Sequence, residues 1–297
     1  MSKNTRGQYG SQEKNEVART SYWLPMDFSW SKVPWWAILL IITGILAVIF
    51  IMTNANYRET FIFLRAGVII TLRLTLTAFP VAMIIGLFTG LARLSKNPIL
   101  YTIATTYVEV IRGIPMVVLI LMIAFGIVPL FVNAVNSIGS WASSAGGIIG
   151  TILGGLEFFS IRSIPMELRA ALALAIGYGA FEAEVFRAGI QSIGSGQMEA
   201  ARSLGMSYLQ AMRFIILPQA IRRILPPLGN DFIAMLKDSS LATVLAVSEL
   251  TQLTRLRRSS TFRVMEAFSV AAFLYLAMTL LLSAGVRVLE RRMSIKE

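Results

Sequence analysis

Residues 35–52, WWAILLIITGILAVIFIM, carry no charged side chain, and neither do residues 74–92 or residues 267–286. A helix of about 20 such residues crosses the hydrocarbon core of a bilayer. The whole chain follows the same pattern. Of its 297 residues 56% are hydrophobic and 14% charged, and the mean hydropathy is +0.68, whereas a soluble domain is about 45–50% apolar and about 25% charged. The fold class this dictates is an all-α integral membrane protein.

Six spans are expected, at about 35–54, 66–92, 99–130, 168–190, 219–250 and 265–289, with a short loop over 55–65. Residues 1–34 are polar and too long a lead for a secretory signal. They read as a tail, with Trp23, Trp30, Trp35 and Trp36 placed where aromatic rings settle at headgroup level or simply pack. Residues 113–156 are uncharged and long enough for two spans. Asn133, Asn136, the serines of 140–144 and the glycines of 146–155 argue instead for an external insert over 132–166 with a short surface or re-entrant helix. Pro226-Pro227 and Lys237-Asp238 are expected to interrupt the fifth span.

Net charge is +11, with no nucleic-acid motif to explain it. Basic flanks of membrane segments, which set orientation and meet anionic lipid, account for it. With both termini inside, the inner segments hold sixteen of the Lys and Arg residues assigned to loops and the outer ones eight. That places the polar segment 191–218 in the cytoplasm. The cluster Arg255, Arg257, Arg258 and Arg263 falls on the outer side against this bias, or marks a surface for something acidic. The chain has neither cysteine nor histidine. Disulfides are thereby excluded, and the commonest general base and metal ligand are missing. No G-x-x-x-x-G-K-[ST] string is present, so the chain does not bind ATP through that loop.

The segment 199–218, EAARSLGMSYLQAMRFIILP, is amphipathic and sits between two hydrophobic blocks. EAARSLG at 199–205 followed by ILP at 216–218 resembles the EAA motif of ABC-transporter permease subunits. YVEVIRGIP at 107–115, GQMEAA at 196–201, LPQA at 217–220 and KDSSL at 237–241 narrow the resemblance to the polar amino-acid permeases of bacterial importers, the histidine, glutamine and glutamate type. It runs from about residue 60 to the C-terminus.

The resemblance implies a type I importer permease fold, with a family core of five transmembrane helices over 60–297 plus an extra one at 35–54. It implies two permease chains, two ATP-binding subunits carrying ATP and Mg on the cytoplasmic side, and an external amino-acid-binding protein. No cofactor and no enzymatic activity are expected of this chain itself. A homodimer is favoured over a sister chain, because nothing in the sequence requires a different partner. The location implied is the bacterial cytoplasmic membrane, multi-pass, with both termini in the cytoplasm.

Within 191–218 the coupling residues expected are Glu199, Ala200, Ala201, Gly205, Met206, Leu217 and Pro218. Small Ala200 and Ala201 admit a partner close to the backbone. Gly205 permits a reversal, and Pro218 opens the next helix without needing a donor. Met206, Leu209, Met212 and Phe214 form a candidate apolar plug. The bland alternative is a helix lying on lipid.

Ionisable residues at membrane depth are functional candidates. Glu109 and Arg112, three apart, read as a mutual pair, serving either as a gate or substrate contact or as a structural tie. Glu184 and Arg187 read as a structural pair. Glu182 reads as the freer carboxylate, available to a substrate amine. Lys237, Asp238, Ser239 and Ser240 sit where a broken helix either holds a zwitterion or merely caps itself. A stand-alone ion-coupled carrier or channel is the competing function. It needs acidic mid-membrane sites and often internal repeats, and the sequence shows no repeat.

Overall fold

The computed structural model describes residues 35–293. The expectations for the tail at 1–34 and for Lys296 lie outside them. The described residues are almost entirely helical, with short turns between helices and no strand among them. Contacts divide the chain after Val48. α1 (Trp35–Thr53) is apolar and uncharged over its whole length.

α2 (Ala55–Arg93) begins directly after Asn54, whose side chain accepts the Asn56 N–H. The loop expected over 55–65 is therefore helix. The polar residues there do not prevent it, because Asn54 supplies the cap and Thr60 turns its hydroxyl back onto the Asn56 carbonyl. At about 1.5 Å per residue, these 39 residues are longer than a bilayer core of about 30 Å.

The span expected over 99–130 is two helices. α3 (Pro98–Gly113) starts on the Asn97 cap and ends before Pro115, which cannot extend it. α4 (Met116–Met122) then passes through a π turn at Ile123–Ile127 into α5 (Val128–Ala145), so the helix carries on well past 132. Helix thus occupies the first part of the stretch 132–166 expected as an insert. Gly146 and Gly147, at φ +64° and +61°, turn the chain into α6 (Gly147–Leu153). Arg169, buried, gathers this region onto the start of α7 (Met166–Gln191) by donating to the carbonyls of Ile161, Ile164 and Ala124 at 2.8, 2.9 and 3.3 Å.

After α7 come α8 (Ser195–Ser203), α9 (Tyr208–Ala211), a π turn at Met212–Ile216 and α10 (Leu217–Asp238). α10 runs unbroken through Pro226-Pro227 and stops at Asp238, short of the 250 expected. Two carbonyls lose their i→i+4 donors at the prolines, a loss that a helix packed among neighbours tolerates. A 3₁₀ stretch, Ser239–Leu245, leads to α11 (Leu250–Thr261) and α12 (Val264–Met293).

Four described helices are long and apolar enough to cross a membrane: Trp35–Thr53, Ala55–Arg93, Met116–Ala145 and Val264–Glu290. α7 and α10, expected as the fourth and fifth spans, are 26 and 22 residues long but carry more charge. They pack in the interior of the helix bundle. The core joins Leu74, Ala78 and Ala82 of α2, Leu119 and Ile120 of α4, and the alanine-rich face Ala170–Tyr178 of α7. Small residues let these backbones approach, which is how helices associate in lipid where no hydrophobic drive between them exists. At Gly86 the approach is so close that a Cβ would lie 2.6 Å from the Glu182 Cβ.

α11 is tied down at its start. The Glu249 carboxylate accepts the Thr251 and Gln252 N–H groups, both at 2.7 Å, and the Tyr275 hydroxyl of α12 at 3.0 Å. Two of the four arginines in the basic cluster meet an acid of this chain: Arg257 and Arg263 lie 3.2 and 3.9 Å from Glu59.

Candidate functional site

Two places hold the residues singled out from the sequence. The first is the segment between α7 and α10. α8 ends in a Schellman motif: Met206 N–H bonds the Ala201 carbonyl at 3.1 Å and Gly205 N–H the Arg202 carbonyl at 3.0 Å, with Gly205 at φ +83°. Two residues on, Ser207 and Gln210 form a reciprocal capping box that starts α9. The result is a tight double turn fixed by its own backbone. Its outer surface is apolar: Leu204 is 84% exposed and Leu209 77%, with Tyr208 and Phe214 also exposed.

Sequence reasoning named Leu209 and Phe214 but missed Leu204 and Tyr208. The capping spacing Ser207-x-x-Gln210 was the available sign that 208 and 209 sit on an outer turn. Met206 and Met212 are half-buried. Ala200 is exposed, but Ala201 is buried inside this chain, so only the first of the two alanines offers its backbone face to a partner. Glu199 is exposed in the second turn of α8, Leu217 is exposed, and Pro218 stands in the first turn of α10. The segment's roots are held by Ile193, Ile216, Ala220 and Ile224, which share one buried cluster. Arg223 also donates to the Ser192 carbonyl.

The second place is a cavity of about 300 Å³ between α3, α7 and α10. Tyr178 and Phe181 line it from α7, and Asp231, Ala234 and Asp238 from α10. Spacings of three and four put each set on one helix face. The Tyr178 hydroxyl donates to Asp238 Oδ2 at 2.8 Å. Tyr178, Phe181 and Asp231 were missed. Asp231 lies seven residues before Asp238, a helical repeat visible in the sequence.

Several pairings differ from expectation. Glu109 and Arg112 do not pair. Arg112 stacks on the Phe181 ring, 5.4 Å from its centroid, and Glu109 lies 3.8 Å from Arg93 of α2. Arg93, whose side chain is 10% exposed, also donates to Glu184 at 2.6 Å, and Arg187 donates to the same carboxylate. Glu184 and Arg187 thus belong to a four-residue network joining α2, α3 and α7. Glu182 is not a free carboxylate facing open space. It is fully buried, and neither oxygen has a hydrogen-bond partner among the described residues. Lys237 is exposed and does not line the cavity, Ser239 turns its hydroxyl onto the Leu236 carbonyl at 2.7 Å, and Ser240 is half-buried. Of that string only Asp238 reaches the cavity.

Replacing Arg93 with Gln removes the charge that ties α2 to both α3 and α7. A loss of about 2 kcal/mol is expected, within the range for charged hydrogen bonds, since Arg187 still covers Glu184. Thermal unfolding of the detergent-purified protein reads it, and an unchanged midpoint excludes the network as a stabilising tie.

The fold and these motifs define a membrane permease subunit. Residues 82–295 match the family of binding-protein-dependent transport system inner membrane components, and the chain belongs to that family. It is 35% identical over 229 residues to the glutamine transport system permease protein GlnP of Escherichia coli (strain K12), covering 77% of this chain and 92% of that protein. It is 37% identical over 223 residues to the probable glutamine ABC transporter permease protein GlnM of Bacillus subtilis (strain 168), covering 75% and 89%. Among solved structures, an amino acid ABC transporter crystallised with histidines aligns with TM-score 0.63 and 36% identity, over 81% of this chain and 97% of that one. The inward-facing MetNI methionine ABC transporter shares the fold at TM-score 0.57 and 20% identity, over 78% and 97%. The chain is a multi-pass membrane protein of the amino-acid ABC permease type.

Proposed function

We propose that this chain is the permease subunit of an ATP-driven importer for polar or charged amino acids, and that segment 191–218 couples it to the motor. The observation that carries this is a mechanical connection. The double turn with its exposed Leu204, Tyr208 and Leu209 is flanked by α7 and α10, and these two helices also supply Tyr178, Phe181, Asp231 and Asp238 to the cavity. A force applied to the turn therefore reaches the cavity walls through two stiff rods. An ATPase whose closed form prefers one arrangement of the rods shifts the population between inward-open and outward-open states. The apolar turn suits insertion into a groove of the partner.

In this reading two ATP-binding subunits hold ATP and Mg, a second permease chain completes the pathway, with a second copy of this chain favoured, and an external binding protein delivers the amino acid. Residues 60–297 form the permease domain, 35–54 an additional span and 1–34 a cytoplasmic tail. Both termini and segment 191–218 face the cytoplasm of a bacterium, as the basic-residue bias supports. Glu199, Ala200, Gly205, Met206, Leu217 and Pro218 shape the coupling turn, while Asp238 and Glu182 belong to the pathway.

The test is reconstitution in vesicles of the complex purified through a tag on this chain. Uptake is expected to require ATP and to persist when sodium and proton gradients are collapsed. Uptake without ATP, driven by either gradient, makes the chain a stand-alone carrier.

A further inference from the structure

At the corner between α11 and α12 an aromatic residue is held in an unfavourable backbone state. Phe262 closes α11: its N–H bonds the Arg258 carbonyl at 2.8 Å, and its φ is +58°. A bulky residue avoids this left-handed region, which glycine enters freely. Strain of this kind persists where something else requires the residue. The chain itself gains little from the ring, because Phe262 is 87% exposed. A ring so placed has its partner outside the chain.

The residues around it say what that partner is. Leu256 of α11 and Val264 and Met265 of α12 are exposed apolar side chains. Arg255 and Arg258 are exposed on the second half of α11. Glu59 answers Arg257 and Arg263, but Arg255 reaches only the Thr243 hydroxyl, at 3.3 Å. The Arg258 side chain has no partner among the described residues, and Glu266 in the first turn of α12 pairs with neither arginine. Two guanidinium groups without an acid therefore stand beside an exposed apolar cluster. Arg258 lies one turn before Phe262, at the same end of α11.

α12 is long and apolar enough to cross a membrane, and residues 267–286 are uncharged. Val264 and Met265 lead directly into that run. A protein arriving from water reaches surface beyond the headgroups, whereas this patch continues into the hydrocarbon. Aromatic residues settle at that boundary. Long arginine side chains carry their charge out to the headgroups, and the guanidinium fork matches two oxygens of a phosphate.

We propose that the α11–α12 corner is a binding site for an anionic phospholipid. Arg258 and Arg255 receive the headgroup phosphate, and Phe262, Val264 and Met265 hold the upper part of the acyl chains. The site requires only that α12 spans the bilayer, so it stands apart from the permease reading.

The test titrates the lipid-stripped full chain in detergent with phosphatidylglycerol, with phosphatidylcholine and with inorganic phosphate. Native mass spectrometry counts tightly held lipid, and thermal unfolding reports stabilisation. Phosphatidylglycerol is expected to bind more tightly than phosphatidylcholine and to raise the unfolding midpoint, and inorganic phosphate to do neither. Arg258→Gln is expected to weaken one tight phosphatidylglycerol site about tenfold, the loss of a charged hydrogen bond. Phe262→Gly relieves the backbone and is expected to weaken the same site while the lipid-free midpoint holds or rises.

Equal binding of the two lipids, stabilisation by free phosphate alone, or phosphatidylglycerol binding unchanged in both variants overturns the proposal. A lipid-free midpoint that falls in Phe262→Gly makes the ring structural and also overturns it. If lipid binding is unchanged while either variant weakens capture of an external binding protein by the complex in vesicles, the surface belongs to a protein and the lipid site falls.

Discussion

Substituting Leu204 and Leu209 together with Asp is expected to abolish ATP-driven uptake while leaving the permease folded in the membrane. The two side chains are 84% and 77% exposed, so the chain itself gains almost nothing from them. A partner that buries them gains about 1.5–3 kcal/mol for each. Losing both contacts, and adding two charges that would have to be buried, weakens association by at least about a hundredfold, since each 1.4 kcal/mol is a factor of ten. The measurement is the amount of ATPase retained on the tagged permease, alongside uptake in vesicles. Full retention with normal uptake dismisses the turn as the coupling contact. Gly205→Asp is a gentler probe of the same element. No atom lies within 4 Å of the Cβ it would add, so its effect comes from the φ of +83°, a left-handed conformation costing an ordinary residue about 1–2 kcal/mol.

The largest effect on stability is expected from Gly86→Leu. The first carbon of the new side chain would sit 2.6 Å from the Glu182 Cβ and 3.1 Å from the Ala183 nitrogen. These atoms belong to the backbone and stem of a helix, which cannot swing aside as the tip of a long side chain does. α2 must move away from α7, and with it go the contacts of Leu74, Ala78 and Ala82. A cost of about 3 kcal/mol or more follows from forcing bulk into a packed interior. Gly285→Leu in α12 is the matching control: nothing lies within 4 Å of its added Cβ, and stability should be unchanged. Thermal unfolding in detergent and the yield of monodisperse protein read both variants. Equal behaviour of the two would mean that the α2–α7 approach is not a close-packed interface.

Proximity of elements in the chain explains which features were legible. Hydropathy over about 20 residues reports membrane helices because lipid demands a continuous apolar run. α1 and α12 accordingly appear within a few residues of their expected limits. The turn at 205 was legible because a Schellman motif and a capping box are made within a few residues of one another. The family resemblance rests on strings of the same local kind. Helix ends were read less well where a favourable cap offsets a polar or proline-bearing stretch. Asn54 carries α2 back to residue 55, and packing on both sides lets α10 continue through Pro226-Pro227.

By itself the sequence determined that the protein is a helical membrane permease with an apolar turn set between two of its helices, and that no cysteine, histidine or Walker loop contributes chemistry. Only the tertiary structure decided how the ionisable groups are matched. Glu109 finds Arg93 rather than Arg112, Arg112 finds an aromatic ring, and Glu182 is buried with neither oxygen partnered among the described residues. Spacing along one helix specifies a face, but the partner opposite that face depends on how neighbouring helices are rotated and offset. That is settled by glycine and alanine contacts such as the one at Gly86, formed between residues far apart in the chain.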